Sequence, residues 1–312
     1  MATSNPSPNA PAHTLVPLHL TGNTTAFQHE ALLRLIAEAG QAASETALAK
    51  LDQHSAQTVL ESHKKLTPEL CAAITETILL HTFSDKFKDE AVGSDRVYPA
   101  AYKLRPIEAQ VSELRRCFPE LGACTERLAR LPVPVEAEAW FAVPRWQALA
   151  PTYAEATERA ITALASKRRF SNRLLQKLNE QHLRPTERSK LAQQILCDQQ
   201  QGSDILVAAA QFGLLHRGSS ARRTRAELAG HEYCLGTFAI ACMLLTHPER
   251  LSSSNTLMID CGGDEYSAHG DHTFDRVPLF DFDLGGIDLS IFYEDRARNL
   301  WGTPTAFLFK LV

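Results

Sequence analysis

The run Ile205–Ala210, ILVAAA, carries no polar side chain. Its length and composition suit a buried strand, because a segment apolar on both faces must be covered on both faces. A small-residue loop follows at once, with Gly213, His216, Arg217, Gly218, Ser219 and Ser220, and then a basic helix-like segment with Arg222, Arg223 and Arg225. A buried strand that feeds a loop and a helix start commits the chain to a mixed α and β architecture. It also creates a place for an anion, since free backbone N–H groups at a helix start attract negative charge.

The 312 residues suffice for one large domain or two ordinary ones, and 44% hydrophobic content with 22% charged residues is that of a globular protein with a real core. A net charge of −4 argues against general affinity for nucleic acid or acidic membranes. Its distribution is uneven: Lys and Arg exceed Asp and Glu across 158–225, and the excess reverses across 255–312. Opposite blocks imply two surfaces with different partners, or one site needing both signs. Seven scattered cysteines without a CxxC pair fit free thiols in a reducing compartment. The opening MATSNPSPNAPAH has neither the charged nor the apolar segment of a signal peptide. The longest apolar run, Cys234–Leu245, is broken by Gly236 and Thr237 and falls short of the ~20 residues of a membrane span. The expectation is a soluble, cytoplasmic chain with no membrane partner.

Residues 1–22 read as a disordered tail, 23–134 as a helical region and 135–312 as an α+β domain. Leu32, Leu35, Ile36 and Ala39 fall on one helix face, and Gly40 is placed to end that helix. A second helical stretch covers Glu45–Lys65. Thr67-Pro68-Glu69 opens a third, with Leu70, Ala73, Ile74 and Ile78 toward the core. Pro106 opens another, Ala123–Leu131 is a short helix, and Leu131-Pro132-Val133-Pro134 is an extended joint. Beyond it come a strand at Ala139–Val143 and helices after Pro151, at Asn172–Gln181 and at Thr186–Gln199. The Ile205 strand and a long helical stretch ending at His247-Pro248 follow. Four strands close the chain, at Leu257–Asp260, Val277–Asp283, Ile287–Phe292 and Ala306–Leu311, with a hairpin turn at Leu284-Gly285-Gly286. The fold class is therefore α+β: an N-terminal helical layer, then a mixed α/β region ending in a small, mainly antiparallel sheet.

Three constellations could carry chemistry. In the first, the loop N–H groups and the arginines hold a phosphate or other anion. Its spacing is neither GxxxxGK[ST] nor GxGxxG, and the alternative is a strand–helix connection whose arginines are solvated or pair with the acidic C-terminal block. The second is acidic. Asp260 ends a strand, Gly262-Gly263-Asp264-Glu265-Tyr266 follows, then His269, Asp271, His272 and Asp275, with Asp281 and Asp283 two apart on one strand. Several carboxylates beside glycine turns suit a hard divalent cation; a solvated loop and an edge strand guarded by aspartates is the alternative. Cys261, with His269 and His272 downstream, is a candidate thiol–imidazole pair or a buried inert cysteine.

The letters Gly262–Tyr266, GGDEY, resemble the signature turn of the diguanylate cyclases over that turn alone, and the family's upstream metal-binding aspartate segment has no counterpart here. Phe212-Gly213 with His216-Arg217-Gly218, Leu245–Arg250, Ile259–Glu265, and Phe141–Trp146 followed by Leu149–Tyr153 resemble an uncharacterised bacterial protein family met mostly in genomes of uncultured lineages. That similarity runs from about Ala101 to the C-terminus and implies no activity, cofactor or fold.

The leading functional expectation is binding of a phosphorylated ligand, nucleotide or nucleic acid. Gly213, Arg217, Gly218, Ser219, Ser220, Arg222 and Arg223 would form the ligand site, and Asp260, Asp264, Glu265 and His216 would be the catalytic groups. A Mg²⁺ or Mn²⁺ ion would sit on Asp260, Asp264, Asp281 and Asp283, giving metal-assisted phosphoryl transfer or hydrolysis. The competing expectation is a non-catalytic binding or assembly protein that uses the basic 158–225 face and the acidic 255–312 end, self-association through these blocks included.

Overall fold

Thr21–Lys88 form one compact unit, and Met1–Leu20 with Asp89–Val312 form another. The computed structural model describes residues 15–18, 26–82, 85–125, 127–174 and 178–311. In chain order come β1 (Leu15–Pro17), α1 (Ala26–Leu48), α2 (Gln53–Glu61), α3 (His63–Thr82), α4 (Ile107–Cys117), β2 (Ala139–Pro144), α5 (Tyr153–Lys167), β3 (Phe170–Asn172) and β4 (Leu183–Pro185). Then follow α6 (Glu187–Gln199), β5 (Ile205–Gln211), α7 (Ala221–Glu227), β6 (Glu232–Cys234), α8 (Thr237–Thr246), β7 (Met258–Asp260) and β8 (Asp264–Tyr266). The chain closes with β9 (Arg276–Asp283), β10 (Gly286–Tyr293), β11 (Trp301–Gly302), β12 (Thr305–Phe307) and β13 (Phe309–Leu311). The protein is α+β, helices first and sheets after.

In the Thr21–Lys88 unit, α1 runs through Gly40 to Leu48 instead of ending there. A glycine inside a helix costs only about 1 kcal/mol against alanine, and the alanine-rich stretch beyond it carries the helix on. Helix α3 begins at His63, so Pro68 lies inside it. The Leu66 N–H to Ser62 carbonyl bond supplies the extra turn before the proline. Asp52 caps α2 by accepting from the Ser55 N–H at 2.7 Å. The expected buried faces are not buried: Leu35 is 62% and Leu70 52% exposed, and Ala73 and Ile74 are exposed too. The Leu32 and Ile78 side chains lie outside the described residues.

Of the 1–22 tail, residues 1–14 and 19–22 lie outside the described residues. Leu15–Pro17, however, pair antiparallel with β13. The boundary expected near Pro134 is no break in packing, because α4 belongs to the same unit as the sheets and rests on α8 and β2. The spacing of Ile107, Val111 and Leu114 puts all three on its buried face.

One sheet has the order β2-β5-β12-β6, antiparallel throughout. Strand β5, buried at every residue, runs through its middle, with register from Ala139↔Ala210 to Pro144↔Ile205. The Gln200 amide extends this ladder by donating to the Val207 carbonyl at 2.9 Å and accepting from its N–H at 2.8 Å. The other sheet has the order β11-β7-β9-β10-β3, and β8 joins β9 to β4. It is mainly antiparallel, with β3–β10 and β7–β11 parallel. Helix α8, apolar on all sides in sequence, is buried at every residue.

Three local expectations yield to tertiary pairing. The helix expected at Asn172–Gln181 is absent from its described part, because the adjoining Phe170–Asn172 is held as a strand by β10; residues 175–177 lie outside the described residues. The long helix expected up to Thr246 is cut into α7 and α8 because β12 pairs with Glu232–Cys234 between them. At Ala123–Leu131 only a 3-10 turn forms, Leu128–Arg130, since the Ala123 carbonyl accepts instead from the N–H groups of Asp204 and Ile205.

Candidate functional site

The loop after β5 is built from close backbone approaches. Gly218 has φ +78°, and a Cβ there would stand 2.2 Å from the Val92 carbonyl oxygen, so only glycine fits. Gly213 has φ +115° and faces the Gly302 backbone. The Gln211 side chain accepts the Gly213 N–H at 2.5 Å and donates to the Thr303 carbonyl and the Thr305 hydroxyl. His216 Nε2 lies 2.7 Å from the buried Glu232 carboxylate, which also accepts from the Thr305 hydroxyl. Ser219 forms a β-bridge with Ala91.

The expected anion donors meet acceptors of the protein itself. Ser220 caps α7 by accepting the Arg223 N–H at 2.9 Å, and its hydroxyl donates to Glu90 at 2.6 Å. Arg222 forks onto the same Glu90 carboxylate, while its backbone N–H donates to the Glu294 carbonyl at 2.9 Å. Arg223 pairs with Glu227 at 2.8 Å, and Arg217 reaches the Arg96 carbonyl at 3.3 Å. The N–H groups opening this short helix are therefore directed at a hydroxyl and a carbonyl of the chain. Glu90, which joins Ser220 to Arg222, stands in a mixed, charged connector with no sequence signal to single it out.

Arg225 ties the loop to the acidic turn. Its guanidinium donates to the Gly262 carbonyl at 2.7 Å and the Asp264 carbonyl at 2.6 Å, and it pairs with Glu294 at 2.5 Å. Asp264 is fully buried; its carboxylate accepts from the Tyr153 hydroxyl at 2.8 Å and from the Thr237 N–H at 2.6 Å. It thus caps α8 from a distant strand, because the residue at the cap position, Gly236, has no side chain to do so. A side chain at Gly236 would collide with both partners: a Cβ would lie 2.3 Å from the Asp264 carboxylate and 2.4 Å from the Tyr153 oxygen. Asp260 is buried at the end of β7 with Oδ1 unpartnered. Cys261 beside it is fully buried, and burial holds its thiol well above the ordinary range, away from the nucleophilic thiolate.

Glu265, Asp283 and Asp288 pair with the basic block, while Asp281 keeps a buried Oδ1 without a partner. Glu265 meets Arg184 at 2.7 Å, and that guanidinium lies over the Phe274 ring. Asp281 and Asp288 face each other across β9 and β10, and Arg173 pairs with Asp288 and with Asp283 at 3.3 Å. Burial, then the neighbouring Asp288, pushes Asp281 up to about 6. Among the described residues, no group of three or more His, Cys, Asp or Glu side chains gathers where a metal ion could be held.

Burial also raises Asp260 to about 7 and Asp264 to about 6. A carboxyl with a folded value above its unfolded 3.8 stabilises the fold in its protonated form. That contribution is complete below 3.8 and is lost as pH rises through 6 to 7. His247 opposes this with one proton: burial lowers it to about 4, so stability falls as pH drops from 6.5. The raised carboxyls of Asp260, Asp264 and Asp281, joined by Glu138 which burial also raises, outweigh one lowered imidazole, so the urea midpoint is expected to rise as pH falls from 8 to 5. Asp260→Asn should flatten the pH 6–8 part of that curve, and an unchanged slope would refute the assignment.

Beside Trp146 and Phe238 lies a narrow apolar slot of about 40 Å³. Val143 and Pro144 of β2, Leu206 and Ala208 of β5, Leu196 and Cys197 of α6, and Phe238 and Ala239 of α8 line it, together with Arg145 and Trp146. Trp146 and Phe238 each meet the Tyr153 ring edge-on at 6.3 Å between centroids. The chain of contact from Asp264 through Tyr153 therefore ends on the slot's aromatic wall. No pattern links these residues in the sequence, because with Tyr233 of β6 they come from five separate strands and helices. No family model, curated protein or solved structure matches the chain. Among the described residues no helix is long and apolar enough to cross a membrane.

Proposed function

We propose that this protein acts by binding and not by catalysis, with the apolar slot between β5, α6 and α8 as its ligand seat. The observation that carries the reading is the pairing of the charged groups: Arg222 with Glu90, Arg225 with Glu294 and two carbonyls, Arg173 with Asp283 and Asp288, and Arg184 with Glu265. A phosphate and its metal would have to displace these partners, leaving buried carboxylates such as Glu90 and Asp288 uncompensated. The same pairs occupy the opposite-charge blocks within one chain, which removes the drive for association through them. A concave, apolar seat framed by buried hydrogen bonds is where small ligands bind.

Thermal melting against EDTA, Mg²⁺, Mn²⁺, a nucleotide panel and a panel of small apolar compounds tests this reading. A ligand at a hundred times its Kd adds about 2.7 kcal/mol of stability. The expected result is a rise in Tm with apolar compounds and none with nucleotides, with or without metal. A rise with a nucleotide and Mg²⁺ would instead favour phosphoryl transfer at the Gly213–Arg225 loop.

A further inference from the structure

Cys197, Cys234, Cys242 and Cys261 are buried, whereas Cys117 is half-buried at the last residue of α4. A lysine meets it there. The ammonium of Lys167, the last residue of α5, donates to the Cys117 sulfur at 2.9 Å and pairs with Glu113, one helical turn before Cys117. Glu113 also accepts from the Cys117 thiol at 3.8 Å and from the Arg116 guanidinium at 2.7 Å. Sulfur, amine and carboxylate thus touch one another from two helices, and both helices rest on α8, which fixes their spacing. Reactive cysteines sit in electropositive, partly exposed surroundings. Two cations against one carboxylate supply the charge, and the Lys167 side chain is 28% exposed, so a small solute reaches the pair.

We infer that Cys117 and Lys167 form an oxidation site, at which hydrogen peroxide joins the two side chains in a sulfenamide. The thiolate attacks a peroxide oxygen and the O–O bond breaks. Sulfur is oxidised by two electrons, and the leaving hydroxide takes a proton from the Lys167 ammonium and departs as water. Cys117 is then a sulfenic acid beside a neutral amine that already touches its sulfur. The Lys167 nitrogen attacks that sulfur, and the S–N bond forms as the S–O bond breaks. Glu113 passes the amine's proton to the departing hydroxide, giving a second water. The nearness of the amine lets it outrun a second peroxide. The product is a covalent clamp between the ends of α4 and α5. It lies outside the slot lining, so its failure would leave the binding reading untouched.

Intact mass spectrometry of the full chain after hydrogen peroxide, followed by peptide mapping without reductant, tests the site. The expected product is about 2 Da lighter, with the Cys117 and Lys167 peptides joined, and dithiothreitol restores the original mass. Lys167→Arg keeps the cation and removes the nucleophile. In that variant, folded by its melting curve, the joined peptides should vanish, and dimedone, which traps sulfenic acid, should label Cys117 several-fold more than in the unaltered chain. The wild-type map decides by itself even where the variant fails to fold. A mass loss that maps to a disulfide, such as Cys117 with Cys242 of α8, would overturn the clamp. So would oxidation that only adds oxygen to Cys117, or a Cys117 left intact while the exposed Cys71 is oxidised.

Discussion

Gly263→Ala is expected to cost the fold at least about 3 kcal/mol, read as a drop in the urea midpoint at unchanged m-value. A Cβ at this position would stand 2.5 Å from the Cys234 carbonyl oxygen, the Gly236 nitrogen and the Leu235 carbonyl carbon. All three are backbone atoms, so no side chain can swing aside. The surrounding chain is tied as well: the Gly263 N–H donates to the Leu235 carbonyl at 2.9 Å, and the Gly263 carbonyl accepts from the Thr186 N–H at 2.8 Å. Relief would have to come from separating β6 and α8 from the turn, which would uncover Asp264 and its partners. Gly285→Ala is the control. Gly285 has φ +79° and open space around it, so alanine there meets only backbone strain, about 1 kcal/mol. If both variants lose the same small amount, the close packing of this turn is wrong.

Asp264→Ala and Asp264→Asn are expected to separate sharply. Alanine would leave the Tyr153 hydroxyl and the Thr237 N–H buried without an acceptor, at about 1–3 kcal/mol for each. Asparagine keeps the shape and can still accept the Thr237 N–H, while its amide donates to the Tyr153 oxygen. It also removes a carboxyl that burial raises to about 6 and that carries an unfavourable buried charge at pH 8. The alanine variant should lose about 3 kcal/mol or more, and the asparagine variant less than half of that. The pH dependence of stability between 5 and 7 should shrink in both. An asparagine variant as damaged as the alanine one would mean that the negative charge itself holds the start of α8, the reverse of the burial argument.

Elements with a strong local pattern were readable from the chain. The unbroken apolar run of β5, the helix starts after Pro151 and at Thr186, the all-apolar α8 with His247-Pro248 at its end, and the β9–β10 hairpin each carry their own cause in neighbouring residues. Short segments were not readable where a distant strand outbids local preference. Phe170–Asn172 and Glu232–Cys234 are strands only because β10 and β12 present edges to them.

The candidate site divides in the same way. Gly213, Gly218, Asp260 and Asp264 could be singled out in the sequence, since glycines and aspartates at strand ends mark backbone and charge of special kind. What they do could not, because that depends on partners far along the chain. Asp264 caps a helix that begins twenty-seven residues earlier, and Glu90 answers Ser220 and Arg222 from a hundred and thirty-odd residues away. By itself, the sequence determined the fold class, the central strand and the presence of opposite charge blocks, all of which follow from local pattern and composition. Only the tertiary structure decided that those charges face each other and that the apolar slot lies where five elements converge. Burial sets both the cost of an unpaired charge and the position of an acid, and burial is a property of the packed chain.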